Sequence, residues 1–565
     1  MDHKGVESID ALRAAARRFG GGAAGAKSRL LATSATLPLD EPAGLLAYHD
    51  VLLFLAAYPE SAALRAQALR ELRRVAAAAR AIAIGTGVRR KRALAGSGVA
   101  WAESSFAFSW RIARWLAQKY PLHAELDAEG IAAGGVQKLL QLALPRIEME
   151  RLDEEQPDLA DFFAAMRTGA KDSNLGWLLR ELDAIGAGES VREQLYDALE
   201  LPIRFAPRGA ALSHTFARGP RRPAFYHRAP LLRELDTLAL IERPLPEPMP
   251  LDRAEQSRLL DSARGVLATL GRETDVISFA WPDGVRAFAL ERGVSVVLYS
   301  AVPEKRFPID THVGFMLFKN GFPAAYGGGW PFAGSCRIGV NVFPAFRGGE
   351  STHWFAEVMR VYRQRFAVER FVVEPYQFGA GNREGLLSGA FWFYYRYGFR
   401  PVEPRAARTA ETEFARIERE RGYRSPLPVM RALTRDNLEL RLPWAANVDL
   451  PWPEPYSLSI AVSDRIARDF GGDRALAQAT SRTAVDAALG TERARRAQSE
   501  RDAYASLSLL IGGIPELTRW SSAERKACAA LMYAKGAVDE APYLRATQRH
   551  ARLRRALAAL IREAD

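Results

Sequence analysis

Cysteine is nearly absent from this sequence. Cys336 and Cys528 are the two present in 565 residues, too few for a disulfide framework and without the spacing of a zinc site. Long apolar runs are missing as well. The best candidate, residues 51–57, is far short of the ~20 residues that a membrane span requires. Eight histidines are scattered, with no His-Glu-x-x-His and no His/Cys cluster, which argues against a catalytic metal. The opening MDHKGVESIDALRAAARRFGGG has no apolar signal core. These absences lead us to expect a protein of the reducing cytoplasm. Two catalytic motifs also fail. In GGAAGAKS, Gly21 to Ser28, an alanine intrudes before Lys27 and the preceding segment reads as helix, unlike a P-loop. GLLSG lacks the spacing of a serine nucleophile turn.

What is present is an ordinary globular composition, 48% hydrophobic and 25% charged, in a chain too long for one core, so several domains are expected. The formal net charge of +12 suits an acidic partner such as nucleic acid (tRNA included), a membrane surface or a phosphorylated ligand. It equally reflects an Ala- and Arg-rich composition. The densest basic cluster, Arg89 to Arg92, follows a helical run.

Residues 45–201 carry apolar residues at helical spacing and are rich in Ala, Leu and Arg. A Pro- and Arg-rich passage follows, then ERPLPEPMPLD, which marks a boundary. From Asp275 to Val402 the texture changes to Val, Phe, Tyr and Gly. VRAFAL, VSVVLYSAV, HVGFMLF, FPAAYGG and CRIGVNVF read as a meander, with turns at Glu291-Arg292-Gly293 and Lys319-Asn320-Gly321. STHWFAEVMRVYRQRF reads as helix, RFVVEPY as strand, EGLLSGAFWFYYRY as helix and FRPV as strand. Helical patterning resumes from Glu403 and ends in a basic amphipathic segment, whose apolar face is expected to pack on the domain. The expected fold is therefore multidomain α+β: a helical region over 1–235, a mixed α/β domain over 251–402 and a helical region over 403–565.

Within the middle domain, VNVFPAFRGGES turns a strand into a helix through Arg347, Gly348 and Gly349. A helix N-terminus with free N–H groups attracts anions, and glycines let a ligand approach. Glu350 would set a carboxylate beside that anion, unless it points outward along the helix dipole. Downstream, FYYRYGFRPV places Tyr394 four residues before Gly398-Phe399. The two landmarks, with β-α-β between them, resemble the second half of a GNAT-type N-acetyltransferase domain. The resemblance is carried by Arg337 to Val402, and more loosely by residues 275–402.

The resemblance implies an acyltransferase that uses acetyl-CoA or another acyl-CoA as co-substrate and an amine as acceptor. In that reading Arg347, Gly348, Gly349, Glu350 and Ser351 hold the pyrophosphate. The backbone at Val342 and Phe343 pairs with pantetheine, in a gap where a second strand splays away. Tyr394, with Tyr395 as its neighbour, supplies a proton to the thiolate. Glu374, a carboxylate at a strand end beside an aromatic pocket, is the expected base, and Glu384 in the insert reads more readily as a surface ion pair. Asn382 either bonds to pantetheine or caps the following helix. Trp330, Phe332 and Tyr376 line an acceptor pocket or belong to the core. The insert QFGAGNREGLLSG is longer than the family's usual segment. Two other readings stay open: a non-catalytic scaffold for a protein or nucleic-acid partner, and aminoacyl transfer from charged tRNA.

Overall fold

A computed structural model describes residues 3–148, 150, 158–167, 172–443, 450–490 and 496–564. It is a mixed helix-and-sheet structure with two sheets. Ser104–Phe106 (β1), Ala124–Leu126 (β2) and Ile203–Phe205 (β3) form a small antiparallel sheet in the order β1-β3-β2. Helices between residues 110 and 197 surround it and bury a separate core around Trp110, Phe163 and Leu178. The residue pattern predicts helix where β1 and β2 stand and a connecting passage where β3 stands. Three-residue strands are too short to show an alternation that distinguishes them from helix.

The second sheet has eight strands: Arg286–Ala289 (β4), Val294–Ser300 (β5), Val313–Lys319 (β6), Phe322–Phe332 (β7), Ser335–Val342 (β8), Arg370–Val373 (β9), Arg400–Pro401 (β10) and Leu438–Arg441 (β11). Their order is β10-β11-β9-β8-β7-β6-β5-β4, and every pair is antiparallel except β8 with β9. The β6–β7 hairpin turns on Asn320 (φ 47°) and Gly321 (φ 84°), the left-handed pair that a two-residue turn of matching twist demands. Asn320 also ties this turn to the rest of the chain. Its amide donates to the carbonyls of Ala57 and Phe225 at 2.8 Å each.

The strands cross the boundaries expected from sequence. β11 lies beyond residue 402 yet sits between β9 and β10, so the sheet draws on the region read as purely helical. The first helices share the sheet's core. Pro42–Ala57 is buried along most of its length, and Leu52, Phe54 and Tyr58 join Phe346 and Trp354 in one continuous cluster. Helix Ser351–Phe366 covers one face of the sheet, linking β8 to β9. Helices from Pro455 to Ala564 pack at the far end. The basic C-terminal segment is broken at His550 into two helices, and Leu553, Arg554 and Leu557 are buried, as its amphipathic pattern leads one to expect. Among the described residues, no helix is long and apolar enough to cross a membrane, and no cluster of metal ligands occurs.

Candidate active site

The one parallel pair of the large sheet among the described residues is also incomplete. β8 and β9 pair at Ser335–Arg370, Cys336–Phe371 and Arg337–Val372, and no further. β8 runs on to Val342 with β7 on one side and an open edge on the other. Phe343 donates its N–H to Ala324 at 3.0 Å, toward β7. Strand alternation turns the backbone groups of Val340 and Val342 to the open edge. A cleft of about 730 Å³ occupies the gap. Val340, Asn341 and Val342 form one wall, and Ala390, Phe393 and Tyr394 another. Side chains alternate across a strand, so Asn341 and its neighbours line the cleft from both faces of the sheet.

The strand-to-helix turn closes one end. Arg347, Gly348, Ser351 and Thr352 line the cleft there. Gly348 has φ +78°, a backbone state unfavourable for a side chain. Three carbonyls of the turn are drawn outward by arginines from distant parts of the chain. Arg17 donates to the Arg347 carbonyl at 3.0 Å, and Arg233 to those of Gly348 (2.8 Å) and Gly349 (3.2 Å). Gly349 donates its N–H to Phe346, and Glu350 donates its own to the Tyr58 hydroxyl at 2.9 Å. The N–H groups of Gly348, Ser351 and Thr352 have no acceptor among the described residues. Free donors at a helix start, with cations around them, are the features an anion site requires. Arg233, Arg272, Arg347 and Arg396 line the cleft against two carboxylates, Glu234 and Glu384. Glu384 pairs with Arg347 at 2.7 Å, across the mouth.

Glu350 departs from the sequence reading. It neither faces the anion site nor points outward. Its side chain is fully buried on the opposite side of the turn, against Arg292, Lys319 (3.0 Å) and the Leu232 N–H (3.1 Å). Burial alone would raise its pKa. The neighbouring Lys319 and Arg292 outweigh that and hold it down at about 2. Gly349 faces the same interior: a Cβ there would lie 2.7 Å from the Tyr58 hydroxyl. Filling Gly349 with tryptophan would therefore displace Tyr58 from the core instead of plugging the cleft. Phe343 is likewise internal. Its ring stacks on Tyr326 at 5.4 Å and meets His214 at 4.3 Å, and its N–H is already bonded. Of the two backbone positions expected to meet pantetheine, Val342 lines the cleft and Phe343 does not.

Tyr394 lies in the cleft wall, 3% exposed, in a cage of Phe355, Phe378, Phe393 and Phe399. Its hydroxyl has no hydrogen-bond partner among the described residues, and burial pushes its pKa up, so the phenol stays protonated. Tyr397, one turn on, donates to the Ser351 carbonyl at 3.2 Å. Tyr395 packs on Phe391 and Phe414, away from the cleft.

Glu374 is not positioned as a base. It is half exposed, outside the cleft, and pairs with Arg337 at 3.3 Å. The residue after β9 that does reach the cleft is Gln377, whose neutral carboxamide packs against Gly339. Asn382 lines the cleft, but its groups are engaged in capping. Oδ1 accepts from the Gly385 N–H at 3.0 Å and Nδ2 donates to the Tyr376 carbonyl at 3.1 Å. His312 stacks on Trp330 at 4.1 Å, and burial lowers its pKa to about 4. Neither ring lines the cleft, Phe332 is buried in the core, and Tyr376 is exposed. The residues that sequence reasoning missed are Arg17, Tyr58, Arg233 and Arg272. Those four lie outside the segment that carries the resemblance, and no local pattern marks them; Val340, Thr352, Gln377 and Arg396, inside it, were missed as well.

No family model, curated protein or solved structure matches the chain.

Proposed function

We propose that this protein transfers an acyl group, most simply acetyl, from a CoA thioester to an amine. The observation that carries the reading is the parting of β8 and β9 after three paired residues, with a cleft in the gap and a helix N-terminus at its mouth. Each feature answers one requirement of that chemistry. The amide groups of a pantetheine arm find a strand edge with unpaired backbone groups at Val340 and Val342. A pyrophosphate finds the free N–H groups of Gly348, Ser351 and Thr352 beside Arg347. The departing thiolate sulfur finds a protonated phenol, Tyr394, in an apolar cage. With Glu374 outside the cleft, the carboxylates lining it that are available to the amine's proton are Glu234 and Glu384. The central domain then has a GNAT-like architecture, extended by helical regions that take part in its site. Buried, unpaired Cys336 and Cys528 suit a cytoplasmic setting.

Thermal unfolding with and without acetyl-CoA tests the reading. Ligand at ~100 times its dissociation constant stabilises a binding protein by about 2.7 kcal/mol, a shift readily measured. No shift at millimolar acetyl-CoA or CoA would refute the proposal.

A further inference from the structure

Three arginines that line the cleft, Arg233, Arg272 and Arg396, have no carboxylate partner among the described residues. An unpaired guanidinium at a surface needs no explanation. Arg272 donates to the Tyr326 hydroxyl at 3.0 Å and Arg396 lies over the Phe414 ring, while Arg233 and Arg347 stand beside the free N–H groups of the turn, and that concentration of positive charge points to an anionic ligand. Arg233 stands out among them because its position is fixed. Its two terminal nitrogens donate to adjacent carbonyls of the turn, Gly348 and Gly349. A guanidinium has five N–H donors in a planar fork, so donors remain for the cleft that it lines.

We propose that Arg233 is a phosphate-binding residue of the acyl-donor site, contributed by the N-terminal region. The inference rests on the acyl-CoA reading and sharpens it: part of the donor's phosphate recognition comes from outside the central domain, and the site is incomplete without the segment around residue 233. The geometry gives Arg233 a double role. Left to themselves, the carbonyls of Gly348 and Gly349 would repel an anion held by the neighbouring N–H groups. Arg233 engages both lone-pair groups and adds a positive charge at the same place. Arg17 does the corresponding work on the Arg347 carbonyl from the outer side.

The test compares two donors and three proteins. Dissociation constants for acetyl-CoA and for S-acetylpantetheine, which lacks every phosphate, are measured by calorimetry on wild type, Arg233→Gln and Arg233→Lys. We expect Arg233→Gln to weaken acetyl-CoA about tenfold or more, the scale of a hydrogen bond to a charged group, and to leave S-acetylpantetheine unchanged. Arg233→Lys keeps the charge and loses the fork, so it should recover part of the affinity. If Arg233→Gln weakens both donors equally, Arg233 only scaffolds the turn and the proposal is wrong. If neither donor is affected, it is wrong as well. Wild-type protein that binds S-acetylpantetheine as tightly as acetyl-CoA would overturn the phosphate contact while leaving the acyltransferase reading intact. Wild-type protein that binds neither would remove that reading, and this inference with it.

Discussion

Replacing Glu350 by glutamine should destabilise the protein strongly, and by an amount that depends on pH. Glu350 and Lys319 are both fully buried, 3.0 Å apart, with Arg292 on the same carboxylate. Glutamine keeps the shape but removes the charge and sets an N–H₂ among donors. Breaking a buried pair from one side costs about 3–5 kcal/mol, because the other charge is left without a partner. Lys319 limits the damage by releasing its proton. Burial already lowers its pKa to about 8 in the intact pair, and without Glu350 it falls further. From an unfolded value of about 10.4, keeping Lys319 neutral costs about 4.6 kcal/mol at pH 7, and the cost falls by ~1.4 kcal/mol per unit as pH rises. The sign follows from proton binding. Between pH 6 and 8 the variant's native state lacks a proton that its unfolded state holds, so its stability rises with pH. Wild type, with Lys319 at about 8, holds that proton in both states up to about pH 7, stays level there and begins to rise only as pH approaches 8. The gap between them should narrow across this range and flatten above pH 8. Urea unfolding followed by tryptophan fluorescence measures it, since Trp354 packs 6.1 Å from Tyr58 beside the cluster. A loss under 1 kcal/mol at pH 6, or a gap independent of pH, would refute the reasoning. The double variant Lys319→Met/Glu350→Leu should recover most of the loss, because an apolar pair leaves no unpaired charge.

Two further outcomes concern the cleft. Tyr394→Phe should lower kcat by roughly 10²-fold or more with little change in the affinity for acetyl-CoA, measured by steady-state kinetics beside calorimetry; full activity would remove Tyr394 from the chemistry. Glu384→Gln should tighten acetyl-CoA binding up to about fivefold, since an exposed pair is worth at most ~1 kcal/mol and Arg347 would be released to a phosphate. That gain should vanish when Arg347 is also replaced by glutamine, and weaker binding by Glu384→Gln alone would contradict the competition.

The central meander was legible because its signals are local. Asn320-Gly321 announces a hairpin whatever surrounds it, and β4 to β8 alternate or run apolar long enough to be distinguished from helix. Ser351–Phe366 is marked by helical spacing and by the glycines before it. The short elements were not legible. LELR in β11 alternates as a strand does, but four residues set between helical segments are too few to carry the reading, and its place between β9 and β10 comes from pairing with residues far away in the chain. The same limit hid β1 to β3.

The site divides along a similar line. A strand-to-helix turn with free N–H groups beside a cation can be read from Arg347, Gly348 and Ser351, because those features belong to the backbone and adjacent residues. Which side of the turn each neighbour faces cannot be. Gly348 and Gly349 look equivalent in sequence, yet one opens to the cleft and the other lies against Tyr58, 291 positions earlier in the chain. Glu350 looks like an obstacle to anion binding until Lys319 and Arg292 are placed behind it. With that pair in place its charge supports the site. It fixes the buried side of the turn, while Arg17 and Arg233 hold the carbonyls on the exposed side, and the N–H groups are left facing the cleft. The N-terminal region thus reaches the candidate site through Arg17, Tyr58 and Arg233, which places the preorganisation of the turn partly outside the segment that carries the family landmarks.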